Sequence, residues 1–137
     1  MVKGAALSLL FSLLAACATG MHPQLRALAA LKAERVALDS AASAWFVERS
    51  RAAIATSKDL GEYMILMDPV HRVQERGVIL ARAIDQAAHA AALRIAQGAE
   101  DDQLADVRRL VCELGMLVRG AGVPVFSPGG WTMRCAP

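Results

Sequence analysis

Val73, Gly77, Leu80, Ile84, Ala87, Ala91 and Ile95 recur in steps of four and three, and nothing else in the chain constrains its fold as tightly. That spacing places them on one side of an α-helix, whereas a strand would scatter them over both faces. His71, Glu75, Arg82, Asp85 and His89 fall on the opposite side, the pattern of a helix that buries a stripe and wets the rest. Gly77, Ala87 and Ala91 are small enough for a neighbouring helix to come close. Asp68-Pro69 reads as the start, with Asp as N-cap and Pro at the first position, where its missing N–H costs nothing. The helix is expected to run to about Gln97, with Gly98 as a left-handed cap.

Two further helices flank it. Pro23 to about Ser57 has no internal Gly or Pro and is rich in Ala, Leu, Arg and Glu. Leu31, Leu38, Ala42, Trp45 and Ala52 share one side, but Arg35 and Arg49 intrude on it, and Val36, Val47 and Ile54 lie elsewhere. Either both sides touch something, or the helix bends near Asp39-Ser40, where short polar side chains compete for backbone bonds. Ser57-Lys58-Asp59-Leu60-Gly61 is an interruption, and Glu62 to Met67 a short apolar turn or helix extension. After Gly98, Glu100-Asp101-Asp102 puts acid at the positive end of a helix that closes on Arg119. Its stripe is Leu104, Val107, Val111, Leu114 and Val118, with Cys112 near the stripe's edge and Gly120 and Gly122 as stops.

Aromatic residues make up only 4% of the chain while alanine dominates the apolar residues, which favours close-packed helices over a sheet. The expected fold is mainly α, a small three- or four-helix bundle over 23–120. Residues 121–137 differ in kind. Pro128-Gly129 is a type II turn signal, and Trp131, Met133 and Cys135 alternate. A short extended flap or β-hairpin follows from that, with Pro124 confining it to an edge and Cys135 placed to bond Cys112. Such a bridge contributes about 3 kcal/mol in the chain-entropy treatment. The competing reading is two buried or free thiols.

The beginning of the chain carries a different message. Met1-Val2-Lys3 is a positive start, and Ala5 to Leu14 is an apolar run, too short for a spanning helix of about 20 residues. The run closes on Leu14-Ala15-Ala16-Cys17, and this order resembles the lipobox of bacterial lipoprotein signal peptides. The resemblance covers residues 1–20. It implies that the Cys17 sulfur takes a diacylglyceryl group, that a peptidase cuts before it, and that the new amine is acylated, palmitate being the kind of chain involved. Residues 1–16 would then be the signal, 17–22 a lipidated tether containing His22. Two or three chains hold a protein at a membrane stably where one does not. Ala18 stands where an inner-membrane lipoprotein commonly has Asp, which implies the periplasmic face of the outer membrane in a Gram-negative cell. Two other readings stay open: the segment is an Ala- and Leu-rich core helix, or translation starts at Met21 and the protein is a cytosolic helical interaction module.

The chain offers few side-chain arrangements suited to chemistry. His71 and Glu75, and Asp85 and His89, are each four apart on one helix face, but zinc needs three or four converging ligands. His71 and His89 stand about 27 Å apart by helix rise, so each pair reads as a surface contact and no metal site is expected. Ser40, Ser43, Ser50 and Ser57 lie in no Gly-x-Ser-x-Gly turn, and Gly115 and Gly120 are not followed by Lys-Ser or Lys-Thr. Met64 to Met67 is either an adaptable binding patch or core. A formal charge of +2, with Lys and Arg interspersed among Asp and Glu, is no nucleic-acid footprint. The expectation is therefore a non-enzymatic, lipid-anchored envelope protein that docks a protein partner, with no cofactor beyond its own lipid. A lipoprotein of a mobile element, serving lysis or exclusion, is a variant of it.

Overall fold

The computed structural model describes residues 20–125 and Cys135, and within them the chain forms three helices: α1 (Pro23–Thr56), α2 (Leu60–Ala96) and α3 (Ala105–Gly120). The flap expected after residue 125 lies, apart from Cys135, outside the described residues, as does Cys17. The described part is a mainly α bundle with no strand. Each helix packs on both others, and the α1–α2 hairpin is the most extensive pairing.

α1 is continuous over 34 residues. Pro23 occupies its first turn, and His22, placed in a tether by the sequence, caps it: its Nδ1 accepts the Gln24 N–H at 3.2 Å. Leu28 and Leu38 are buried, while Val36, Val47 and Ile54, left without a place by the pattern, face solvent. Arg35 intrudes on the apolar side because Asp85 of α2 meets it at 2.8 Å, with Asp39 at 3.8 Å. Asp85 thus belongs to a helix–helix contact, not to a purely solvated face.

The start of α2 corrects the reading of Asp68-Pro69. The helix begins at Leu60, and Pro69 lies inside it. A stronger N-terminal signal stands upstream: Asp59 Oδ1 accepts the Glu62 N–H at 2.8 Å, and Glu62 Oε2 reaches back to the Lys58 N–H at 2.8 Å. This is a close variant of the capping box, which satisfies two otherwise orphan donors. Asp68 spends its carboxylate on Arg72 instead, at 2.7 Å. An interior proline costs about 3 kcal/mol or more. Here Met67 and Val70, on either side of Pro69, are both buried and hold the segment in register.

α3 starts at Ala105, later than its acidic run suggested. Glu100-Asp101-Asp102 forms part of the connection, and Asp102 accepts the Leu104 N–H at 3.0 Å and pairs with Arg108. Those contacts, the Leu104 N–H foremost, hold the Asp102 carboxyl below the usual carboxylate range. Gln24 clamps the same loop to the base of α1. Its Nε2 donates to the Asp101 carbonyl at 3.1 Å and its Oε1 accepts the Gln103 N–H at 3.0 Å.

The stripes read from sequence form the core. Leu80, Ile84, Ala91 and Ile95 of α2 meet Val107, Val111, Leu114 and Val118 of α3, all at most 6% exposed, with Leu28 and Leu38 from α1. Both expected glycine caps hold. Gly98 and Gly122 take φ of +86° and +78°, and the pairs of bonds Ala99 N–H to Arg94 and Gly98 N–H to Ile95, and Val123 N–H to Val118 and Gly122 N–H to Arg119, define Schellman ends. Gly120 is the last residue of α3 and not its stop.

Candidate functional site

α3 spans about 24 Å and α1 about 51 Å at 1.5 Å per residue, so the third helix covers only part of the hairpin. Its beginning is fixed at the base by the Gln24 clamp. Its end is fixed by the Gly122 cap, where Val123 folds back and is buried with Val118. Leu114 and Val118 reach the level of Ala42, Trp45 and Phe46 on α1 and of Val73 and Gly77 on α2, around a small crevice of about 60 Å³. Beyond that level, among the described residues, the hairpin consists of two helices without a third.

That uncovered half has its own small core of Ala53, Met67 and Val70, with Trp45, Phe46 and Tyr63 packed against it. Phe46 meets the edge of the His71 ring at 5.4 Å between centroids, and Ser50 Oγ and Tyr63 Oη lie 3.1 Å apart. Two helices cannot enclose both sides of such a core. The result is a half-open groove of about 380 Å³, walled by Trp45, Arg49, Ala52, Ala53 and Thr56 on α1 and by Leu66, Met67, Pro69, Val70 and Val73 on α2, with Ala121 at its lower end. Around the hairpin tip Ile54, Leu60, Met64 and Ile65 are 62–76% exposed. Exposed apolar residues gathered in one region mark interaction surfaces more often than singly scattered ones do.

Arg49 is the one ionisable residue on the groove wall among the described residues. Its guanidinium carbon sits 5.8 Å from the centroid of the Trp45 ring, within cation–π range. Among the described residues no carboxylate lies within 4 Å of it, as is also true of Arg26, Arg51, Arg76, Arg82 and Arg94, whereas Arg35, Arg72, Arg108 and Arg109 are paired. Among the described residues the lining holds no carboxylate, imidazole or thiol. What it offers a ligand is apolar contact and one cation.

The residues singled out from sequence are distributed otherwise. Cys112, half-buried on α3, is bonded to Cys135, their Cα atoms 5.5 Å apart. His71 and His89 are exposed and each lies apart from the other; among the described residues no group of three potential ligands gathers for a metal. The expected His71–Glu75 and Asp85–His89 contacts do not form, because His71 turns to Phe46 and Asp85 to Arg35. The methionine run divides: Met67 is 1% exposed and Met64 62%. Arg49 appears in the sequence only as an intrusion on an apolar face. Its pairing with Trp45, four residues earlier on the helix, is the signal that could have found it.

Among the described residues, two buried side-chain atoms of charged groups have no hydrogen-bond partner, Glu34 Oε1 and Arg35 Nε, both in the three-helix half. Burial pushes the Glu34 carboxyl up while the charge of Arg119 on α3 pulls it back in part.

No helix among the described residues is long and apolar enough to cross a membrane. No family model, curated protein or solved structure matches the chain.

Proposed function

We propose that this chain is a lipid-anchored envelope protein, facing the periplasm, that acts without catalysis by docking a partner on the uncovered half of its helical hairpin. The observation that carries the reading is that Ile54, Leu60, Met64 and Ile65, the four most exposed large apolar side chains among the described residues, gather at the hairpin tip beside an apolar groove. Two features support the rest. Leu14-Ala15-Ala16-Cys17 closes a short apolar run as a lipobox does, and the pairing of Cys112 with Cys135 suits an oxidising compartment. α1 gives the two a geometric relation. A tether ending at Cys17 leads into the base of α1, and the tip stands about 51 Å further along that helix. Anchored so, the chain would present its apolar end well clear of the lipid surface.

Two measurements test this. Mass spectrometry of the membrane-fraction protein should find a mature chain beginning at diacylglyceryl-Cys17; an unmodified Met1 or Met21 terminus would overturn the anchor. A photo-crosslinking residue at Ile65 should capture an envelope protein that the same probe at Arg94, near the base of the bundle, does not. Equal capture from both positions would remove the tip as the docking surface.

A further inference from the structure

We propose that the α1–α2 groove binds a medium-length acyl chain carrying a carboxylate, the chain lying along Trp45 to Thr56 and the carboxylate meeting Arg49. The inference shares its surface with the docking reading and names the chemistry that surface selects, but it depends on neither anchor nor partner protein.

Three properties of the groove point to this occupant. Its volume of about 380 Å³ lies in the range of small-molecule sites, roughly 300–1,000 Å³, and is too small for a partner helix. Apart from Arg49 and Thr56 its described walls are tryptophan, alanine, valine, leucine, methionine and proline side chains, and the Thr56 hydroxyl is already engaged with the Ala52 carbonyl at 3.0 Å. It is a trough, about 16 Å long on the α1 side by helix rise, which suits an extended chain better than a compact ring system. The charge complement decides between an acyl chain and a neutral alkane. Arg49 is held by the Trp45 ring and has no carboxylate within salt-bridge distance among the described residues, so an incoming anion displaces no existing pair. A guanidinium receives a carboxylate through two parallel N–H donors.

The full chain carries two tryptophans, and Trp131→Phe leaves Trp45 as the only reporter on the groove wall. Titration of that protein with dodecanoate below its micellar concentration should give a saturable change in Trp45 emission. Decanoate should bind about tenfold more weakly, since each methylene removed from water is worth roughly a fourfold change in affinity when fully buried and less in an open trough. Arg49→Gln should weaken dodecanoate about tenfold and leave dodecanol unchanged. Ala52→Leu, which fills the trough from an exposed position, should weaken both. Far-ultraviolet circular dichroism of each variant confirms that the helices remain. The proposal is overturned if emission does not saturate, if Arg49→Gln binds dodecanoate as tightly as the parent, or if gel filtration shows a dimer in which the groove no longer titrates. Crosslinking at Ile65 would be unaffected by any of these results, so loss of this proposal and loss of the docking reading are separately visible.

Discussion

Among the described residues the base of the bundle has three helices and the tip has two, and the two halves solve the same problem with different success. In the base, α2 is pressed between α1 and α3, and Ile84, Ala91 and Val107 are 0% exposed. In the tip the same hairpin continues with equally apolar residues, yet its core amounts to Ala53, Met67 and Val70. Helix propensity does not separate the halves, since α1 and α2 run through both. The difference lies in the number of faces that can be covered. A helix in a three-membered bundle buries a broad stripe, whereas a two-membered pair buries one seam and leaves the flanks wet. The tip therefore carries the four most exposed large apolar side chains of the described residues, although the base also leaves Val36, Ile79, Leu93 and Met116 in solvent.

The largest expected effect tests that contrast directly. Leu114→Ala, in the base, should cost about 4 kcal/mol, because it removes a side chain and leaves a sealed void. Met67→Ala is just as buried but borders the open groove, so the void is continuous with solvent; about 2 kcal/mol is expected, the low end for such truncations. Urea denaturation measures both. Equal losses would mean that the tip is enclosed as well as the base. Native-state hydrogen exchange sharpens the point: amides of 46–56 and 60–70 should open at lower free energy than those of α3.

Next in size is the cross-link on α3. Serine at both Cys112 and Cys135 should lower stability by about 3 kcal/mol, since the bridge closes a loop across a sequence separation of 23 residues. Because Cys112 belongs to α3, the loss should appear in the hydrogen exchange of α3 and leave the amides of 60–66 at the tip unchanged. Faster exchange at those amides would show that the stapled segment also bears on the tip.

Much of the base was legible in the sequence, and the tip was not. The stripes Leu80, Ile84, Ala91, Ile95 and Val107, Val111, Leu114, Val118 are single-helix patterns, and a regular period reports burial whichever helix is opposite. Glycines after a helix carry their own signal, so Gly98 and Gly122 could be read locally. The groove depends on a comparison of lengths. Starting α2 at Pro69 removes the segment from Leu60 to Asp68 that stands opposite the end of α1, and with it the uncovered half of the hairpin. Asp59 and Glu62 hold the better cap, but Asp68-Pro69 is more conspicuous, and packing around Met67 and Val70 overrides the proline's preference. Arg49 could not be assigned from spacing alone, because its meaning comes from an apolar trough made by two helices.

Smaller effects should come from the two caps, one in each half. Asp59→Ala removes the side-chain acceptor of the Glu62 N–H at the tip, and Gly122→Ala forces a Cβ into a left-handed conformation above the base. Each should cost about 1 kcal/mol. Their consequences differ. Fraying at Asp59 should loosen the groove and weaken dodecanoate, while strain at Gly122 should lower global stability and leave that affinity alone. Identical binding in both variants would show that the α2 start does not shape the groove.

The smallest expected effect concerns Glu34, which only a three-helix half could have drawn under. Its folded carboxyl titrates above the ordinary range, so the folded state keeps a proton that the unfolded chain has already released. Stability from this group therefore falls as pH rises from the unfolded value through the raised folded one, and stays lower above it. At pH 7 the buried charge is a cost that Arg119 offsets only in part. Glu34→Gln should raise the unfolding free energy measured in urea at pH 7, by less than about 0.5 kcal/mol because the side chain is partly exposed to screening solvent. At about pH 3, where both states are protonated, the gain should vanish. A gain for Glu34→Gln that persists at low pH would assign the effect to packing, and a loss at pH 7 would show that attraction to Arg119 outweighs burial and that the base tolerates the charge as well as the open half does.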